Sequence, residues 1–228
     1  MEGSRARFGA REPFRRVLEP WLRPPYRVGA PPHLAAKPMS AFTHRLAQLE
    51  DIAALRAMMR RSIEQLQSDF LTPEQVRASH GLMGLDSQLV RDQTYFIVEK
   101  QGRIAGCGGW SWRATLFGGD DSVVEREPAP LDPMTDAARI RAMYTDPAFA
   151  RQGVGTLIME LCERAAGACG FRRMEMMATL AGVPLYQARG YVPIEHLAPA
   201  PIDGVAVPMI RMARDLADFH SGQTGLPR

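Results

Sequence analysis

Tyr144-Thr145-Asp146-Pro147-Ala148-Phe149-Ala150-Arg151-Gln152-Gly153-Val154-Gly155-Thr156 joins a strand to a helix through a tight turn. The strand runs into Pro147, and the helix begins near Gly153. The first amides of a helix have no internal partner and point outward, where phosphate oxygens can accept from them. Gly153 and Gly155 remove side chains where a pyrophosphate must come close, and Arg151 adds a cation beside the turn. The segment is not a dinucleotide fingerprint, because the third glycine is missing, and no Gly-Lys-Ser/Thr follows to make a Walker loop. An ordinary glycine-containing helix entry is the competing reading at this point.

Upstream, Ala138–Tyr144 reads as a strand, and downstream Gly155–Ala168 reads as a helix closed near Gly170. Arg173–Thr179 is a further strand, so residues 138–179 form a strand-helix-strand crossover. Thr94–Lys100 and Arg103–Arg113, around Gln101-Gly102, predict a hairpin. Thr43–Ala47 predicts a first strand. Asp51 then opens a helix with Ile52, Leu55, Met58, Met59, Ile63 and Leu66 on one face. Thr72-Pro73-Glu74-Gln75 carries a capping box with proline in the first turn, predicting a helix from there to about Met83. Pro184–Ala188 predicts a short helix closed by Gly190, and Tyr191–Glu195 and Val205–Met212 predict the last strands. The order β-α-α-β-β-β-α-β-α-β-β implies an α/β fold. Its sheet is mixed and mostly antiparallel, with helices on both faces.

Residues 1–38 hold seven Arg, one Lys and three Glu, a net +5, so the rest of the +3 chain carries −2. The basic character therefore belongs to the leader, and we expect no nucleic-acid partner for the domain. Seven of the 18 prolines also fall in residues 1–38, without helical or strand periodicity, which predicts a disordered or spurious N-terminal tail. A start at Met39, a transit peptide and a basic arm are the alternatives, with Glu2, Glu12 and Glu19 arguing against the transit peptide. We expect the domain to span 39–215, with a C-terminal tail at 216–228. The three cysteines, an odd number without metal-site spacing, suggest reduced thiols and a cytoplasmic protein with no metal. No apolar run approaches the roughly 18 residues of a membrane span, so no membrane partner is expected.

Two segments together resemble the GNAT N-acetyltransferase superfamily. The turn at 150–155 is similar to that family's Arg/Gln-x-x-Gly-x-Gly/Ala pyrophosphate loop, except that Ala150 holds the first position and Arg151 comes one residue late. Leu185-Tyr186-Gln187-Ala188-Arg189-Gly190-Tyr191 resembles the Phe-Tyr-x-x-x-Gly-Phe motif that follows it. The resemblance covers about residues 42–214.

It implies a GNAT fold with a splayed central strand pair and acetyl-CoA as co-substrate. The backbone of Met143, Tyr144 and Thr145 would bind the pantetheine arm. Amides of Arg151, Gln152, Gly153, Val154, Gly155 and Thr156 would hold the pyrophosphate. The resemblance further implies direct acetyl transfer to a primary amine on a small molecule, an amino-acid derivative or a peptide or protein. Met143 N–H would serve the oxyanion, and Tyr186 would donate to the leaving thiolate; packing against the cofactor is the other reading of Tyr186. No carboxylate transfers as base, because the strand carries Arg139 and Arg141. Glu64 and Asp69 are the candidates, with an ordered water as alternative. A non-catalytic CoA-binding regulatory module of the same fold is the competing function. Monomer and homodimer both stay open. Residues 114–136, rich in Asp and Glu, read as an acidic lid over the acceptor site or as a solvated loop. Trp110 and Trp112 read as sheet packing, and Glu175 as outward-facing.

Overall fold

The computed structural model describes residues 42–216. The expectations for the 1–38 leader, and for the C-terminal tail beyond 216, lie outside the described residues. Strands β1 (Thr43–Leu46), β2 (Tyr95–Lys100), β3 (Arg103–Ser111), β4 (Ala138–Thr145), β5 (Arg173–Thr179), β6 (Val192–Leu197) and β7 (Met209–Asp215) form one sheet. The helices are α1 (Ile52–Leu66), α2 (Pro73–Ser79), α3 (Ser87–Arg91), α4 (Val154–Ala168) and α5 (Val183–Ala188). The sheet order is β1-β2-β3-β4-β5-β7-β6, antiparallel throughout except for the β4–β5 pair. That single parallel pair flanks the α4 crossover, as the strand-helix-strand pattern requires.

The two faces are filled by different elements. On one face Ile158, Met159 and Cys162 of α4 pack on Val98, Trp110, Ile140, Met174 and Met176. On the other, Leu55, Met58, Met59 and Ile63 of α1 pack on Tyr95, Ile97, Cys107 and Tyr144. The α1 stripe at spacings of three and four thus meets the strand residues of one parity. Trp110 belongs to the α4 face, fully buried with its ring edge-on to Phe171 at 6.0 Å.

The structure departs from the sequence reading at several points. Helix α3 was not anticipated; at five residues it has no period to read, and Asp86 caps it by accepting from Gln88 N–H at 3.0 Å. Helix α2 keeps its Thr72/Gln75 capping box but stops at Ser79, because Leu82 and Met83 turn into apolar clusters. The last strand begins at Met209 and runs to Asp215, since Pro208 offers no N–H to a ladder and Ile202–Val205 closes a separate bridge. Glu175 faces away from α4 but is buried, because Arg139 and Arg211 both donate to its Oε2. Leu216, assigned to the tail, donates its N–H to Arg172 at 2.8 Å.

Candidate active site

Pairing between β4 and β5 joins Ala138 to Met174, Arg139 to Glu175 and Ile140 to Met176, and ends there, although both strands continue. The cause lies on the other edge of β4. Between Arg141↔Gly109 and Tyr144↔Cys107 the β3–β4 register shifts by one, so Ala142 and Met143 together oppose Gly108. Ala142 adopts φ +50°, an unusual value for a residue with a side chain. Such a bulge bends its strand and increases the local twist, which carries β4 away from β5. Buried Tyr95 holds it by donating to the Ala142 carbonyl at 2.6 Å.

Gly108 is what makes the bulge fit. A Cβ there would lie 2.6 Å from Ile158 Cγ2 and 2.8 Å from Met143 Cγ. Nothing in the composition of β3 distinguishes this glycine from Gly106 and Gly109, so the bulge left no readable trace.

Where the strands part, a cavity of about 70 Å³ opens between them. Met143, Tyr144, Met176, Met177 and Tyr186 line its strand side. Leu116, Phe117 and Gly118 of the long loop close the opposite side. That loop is pinned: Arg141 donates to the Thr115 and Gly118 carbonyls at 2.9 and 2.6 Å, and to Asp86 at 3.0 Å. Asp120 accepts from Ser87 N–H and Oγ, and pairs with Arg56 and Arg126. It is therefore neither a free acidic lid nor a wholly solvated loop. Tyr144 accepts from Gly84 N–H at 2.8 Å, and so fixes a second piece of the lining.

Tyr186 is held by α5, which starts after Gly182. A Cβ at Gly182 would lie 2.5 Å from the tyrosine ring, so only glycine lets the phenol lie over the helix start. Burial pushes the Tyr186 hydroxyl up to about 12, with a smaller contribution from Cys162. The phenol is protonated at neutral pH.

At the C-terminal end of β4, Asp146 caps a 3-10 turn (Pro147–Phe149) by accepting from Ala148 N–H at 3.0 Å. Arg61 of α1 pairs with Asp146 at 2.7 Å. The chain then turns through Arg151 at φ +61° and Gly153 at φ +89° into α4. Gly153 has no side chain to cap the helix, so the first-turn amides of α4 are left for another acceptor. Arg151 and Gln152 are exposed there, Val154 is buried, and Gly155 and Thr156 are intermediate. The Gln152 side chain accepts from Lys100 at 3.3 Å and donates to the Ala148 carbonyl.

The structure thus brings Met143, Tyr144 and Tyr186 to one cavity, with residues 151–156 at the outlet of the same strand. Thr145 pairs with Gly106 across the sheet. Glu64 does not join them: its half-exposed side chain lies 3.9 Å from His80 Nε2, outside the cavity lining. Tyr95, Arg61 and the Asp86–Arg141 pair shape the site without having been singled out as binding residues. Their partners are distant in sequence, so no local spacing could have found them.

A mixed sheet whose parallel strand pair splays beside the start of the crossover helix defines the acyltransferase fold of the GNAT class. The sequence profile of the Acetyltransferase (GNAT) family matches residues 56–191, and the chain belongs to that family. No curated protein matches the chain. Among solved structures, a GCN5-related N-acetyltransferase from Rhodopseudomonas palustris is 22% identical with a TM-score of 0.58, over 80% of this chain and 100% of that one. An N-acetyltransferase from Staphylococcus aureus Mu50 is 16% identical with a TM-score of 0.52, over 78% and 100%. PaiA N-acetyltransferase from Thermoplasma acidophilum, in complex with coenzyme A, is 10% identical with a TM-score of 0.51, over 77% and 99%. At these identities the likeness concerns the fold. Among the described residues no helix is long and apolar enough to cross a membrane. No group of three or more His, Cys, Asp or Glu there is arranged to hold a metal.

Proposed function

We propose that the chain transfers an acetyl group from acetyl-CoA to a primary amine by direct attack in a ternary complex. The observation that carries this reading is the splay itself. Among the described residues it leaves the β5-facing edge of β4 beyond Ile140 without a strand partner, and Met143 and Tyr186 line one cavity. The residues present fit the co-substrate: an extended pantetheine finds an open strand edge in Met143–Thr145, and phosphate oxygens find the amides of 151–156. Acetyl-CoA supplies an activated thioester acyl group. The chain's own residues bind, orient and stabilise charge.

In this reading Met143 N–H donates to the oxyanion that forms as nitrogen attacks the carbonyl carbon. The C–N bond forms, the C–S bond breaks, the amine gives up a proton and the thiolate ends with one. Tyr186 serves that thiolate as a hydrogen-bond donor. Full proton transfer from a phenol at about 12 to a thiolate whose thiol lies near ~8.5 is uphill by roughly 5 kcal/mol, so the phenol stays a donor. The thiolate is protonated from solvent. Deprotonation of the amine by water fits the exposed position of Glu64 better than a role for that carboxylate.

Tyr186→Phe is the test. With free thiol measured over a panel of amines, we expect kcat to fall about 10- to 100-fold while acetyl-CoA affinity stays within about twofold. The wild-type rate should not decline up to about pH 10, because the phenol is still protonated there. Saturable acetyl-CoA binding without thiol release for any amine would favour the non-catalytic CoA-binding module instead.

A further inference from the structure

Behind Arg141 lies a second, larger cavity of about 340 Å³. Its lining includes four arginines, Arg91, Arg113, Arg126 and Arg141, and one acidic residue, Asp86. Asp92 pairs with Arg113 at 2.7 Å, and Asp120 pairs with Arg126 at 3.3 Å. Three of the four arginines thus have a carboxylate partner. Arg91, exposed at the rim, has no carboxylate partner among the described residues and donates to Ser87 Oγ at 2.9 Å. The volume is that of roughly ten liquid waters, ample for an oxyanion and a short carbon chain.

Arg141 belongs to both cavities. It is buried, with 3% of its surface exposed, and stands two residues before Met143 on β4, about 7 Å along the strand. A group held beside Arg91 and Arg126 is thus separated from the reacting cavity by one side chain. Asp86 accepts from both Arg126 and Arg141, so it fixes the positions of two donors at once.

We propose that this arginine-lined cavity is an acceptor subsite for an oxyanion, and that the preferred acceptors are amines bearing a carboxylate or phosphate a few bonds from the nitrogen. The inference rests on the acetyl-transfer reading. A guanidinium fork suits either oxyanion, and the Arg91 fork has no carboxylate on it among the described residues. Asp120 of the 114–136 loop is taken up by Arg56 and Arg126.

The test compares thiol release with ω-amino acids, their methyl esters, and O-phosphoethanolamine, for the full chain and for Arg91→Gln. We expect the amino acids or the phosphoamine to exceed the esters in kcat/KM at least tenfold, although the ester amines are the less basic and less protonated. Arg91→Gln should raise KM for the anionic acceptors about tenfold and leave the esters unchanged. A preference for carboxylate or for phosphate names the oxyanion. Esters that match the acids, or a variant that weakens both equally, would overturn the proposal. Calorimetric titration with glutarate and with inorganic phosphate separates the two readings. If no amine releases thiol, the acetyl-transfer reading fails; saturable anion binding weakened by Arg91→Gln then still supports the subsite. If thiol is released but neither anion binds, the subsite fails alone.

Discussion

Asp146 shows how one carboxylate serves both the fold and the site. Its backbone N–H donates to Ala105 at 2.9 Å, its Oδ1 caps the turn after β4, and its Oδ2 pairs with Arg61. Burial works against its ionisation, but Arg61, the Ala148 N–H and the nearby Arg103 together hold the carboxyl below its ordinary value. A depressed folded-state pKa stabilises the folded chain above the unfolded value near ~3.9, and that contribution is lost as pH falls through the folded value. We therefore expect Asp146→Asn to lower the melting temperature at pH 6 to 8, with the gap from wild type constant above about pH 5 and closing below about pH 4. Thermal melts from pH 3 to 8 measure this; a gap that persists undiminished at pH 3 would show that Arg61 and the cap do not act through the charge. Asp146-Pro147 was visible in the sequence as the end of a strand. Its ion pair was not, because Arg61 lies 85 positions away.

The elements around the site were legible in proportion to the locality of their cause. Strand β5 matches its expected bounds, and α2 begins where a capping box says it must. The glycine entry to α4 could be read because φ +89° at Gly153 is a local demand of the turn. The bulge at Ala142–Met143 could not, since it is imposed by the register against β3 and by Tyr95 from a third strand. That dependence makes Gly108 the point where the element can be broken. Alanine there would set Cβ against Ile158 on one side and Met143 on the other, both within 2.8 Å, with the Met143 Cα at 3.3 Å limiting escape. Overpacking of this kind costs about 1–3 kcal/mol. Because the displaced residue carries the proposed oxyanion donor, we expect Gly108→Ala to lose stability in denaturant melts and to lower kcat further than Tyr186→Phe does. A variant that is destabilised yet fully active would separate the bulge from the chemistry.

Across the whole molecule, sequence and structure divide the labour unevenly. Described residues 42–216 supply a seven-stranded sheet, both apolar layers and each side chain proposed for binding, while +5 of the chain's charge sits in residues 1–38. Removing the leader takes the chain from +3 to −2. If the amides at 151–156 and the open edge of β4 bind the co-substrate, its affinity depends on dipoles and strand geometry within the domain. Screening at physiological salt, with a Debye length of about 8 Å, weakens the pull of any exposed charge lying further off than that. We therefore expect residues 39–228 alone to bind acetyl-CoA within about twofold of the full chain at 150 mM salt, with an unchanged melting temperature. Any affinity of the full chain for polyanions such as heparin should disappear with the leader, because what remains is net negative. Isothermal titration of both chains at 20 and 150 mM salt separates the contributions. A truncated chain that folds but loses acetyl-CoA would place part of the binding surface in the leader, and would force the pyrophosphate site to be reassigned.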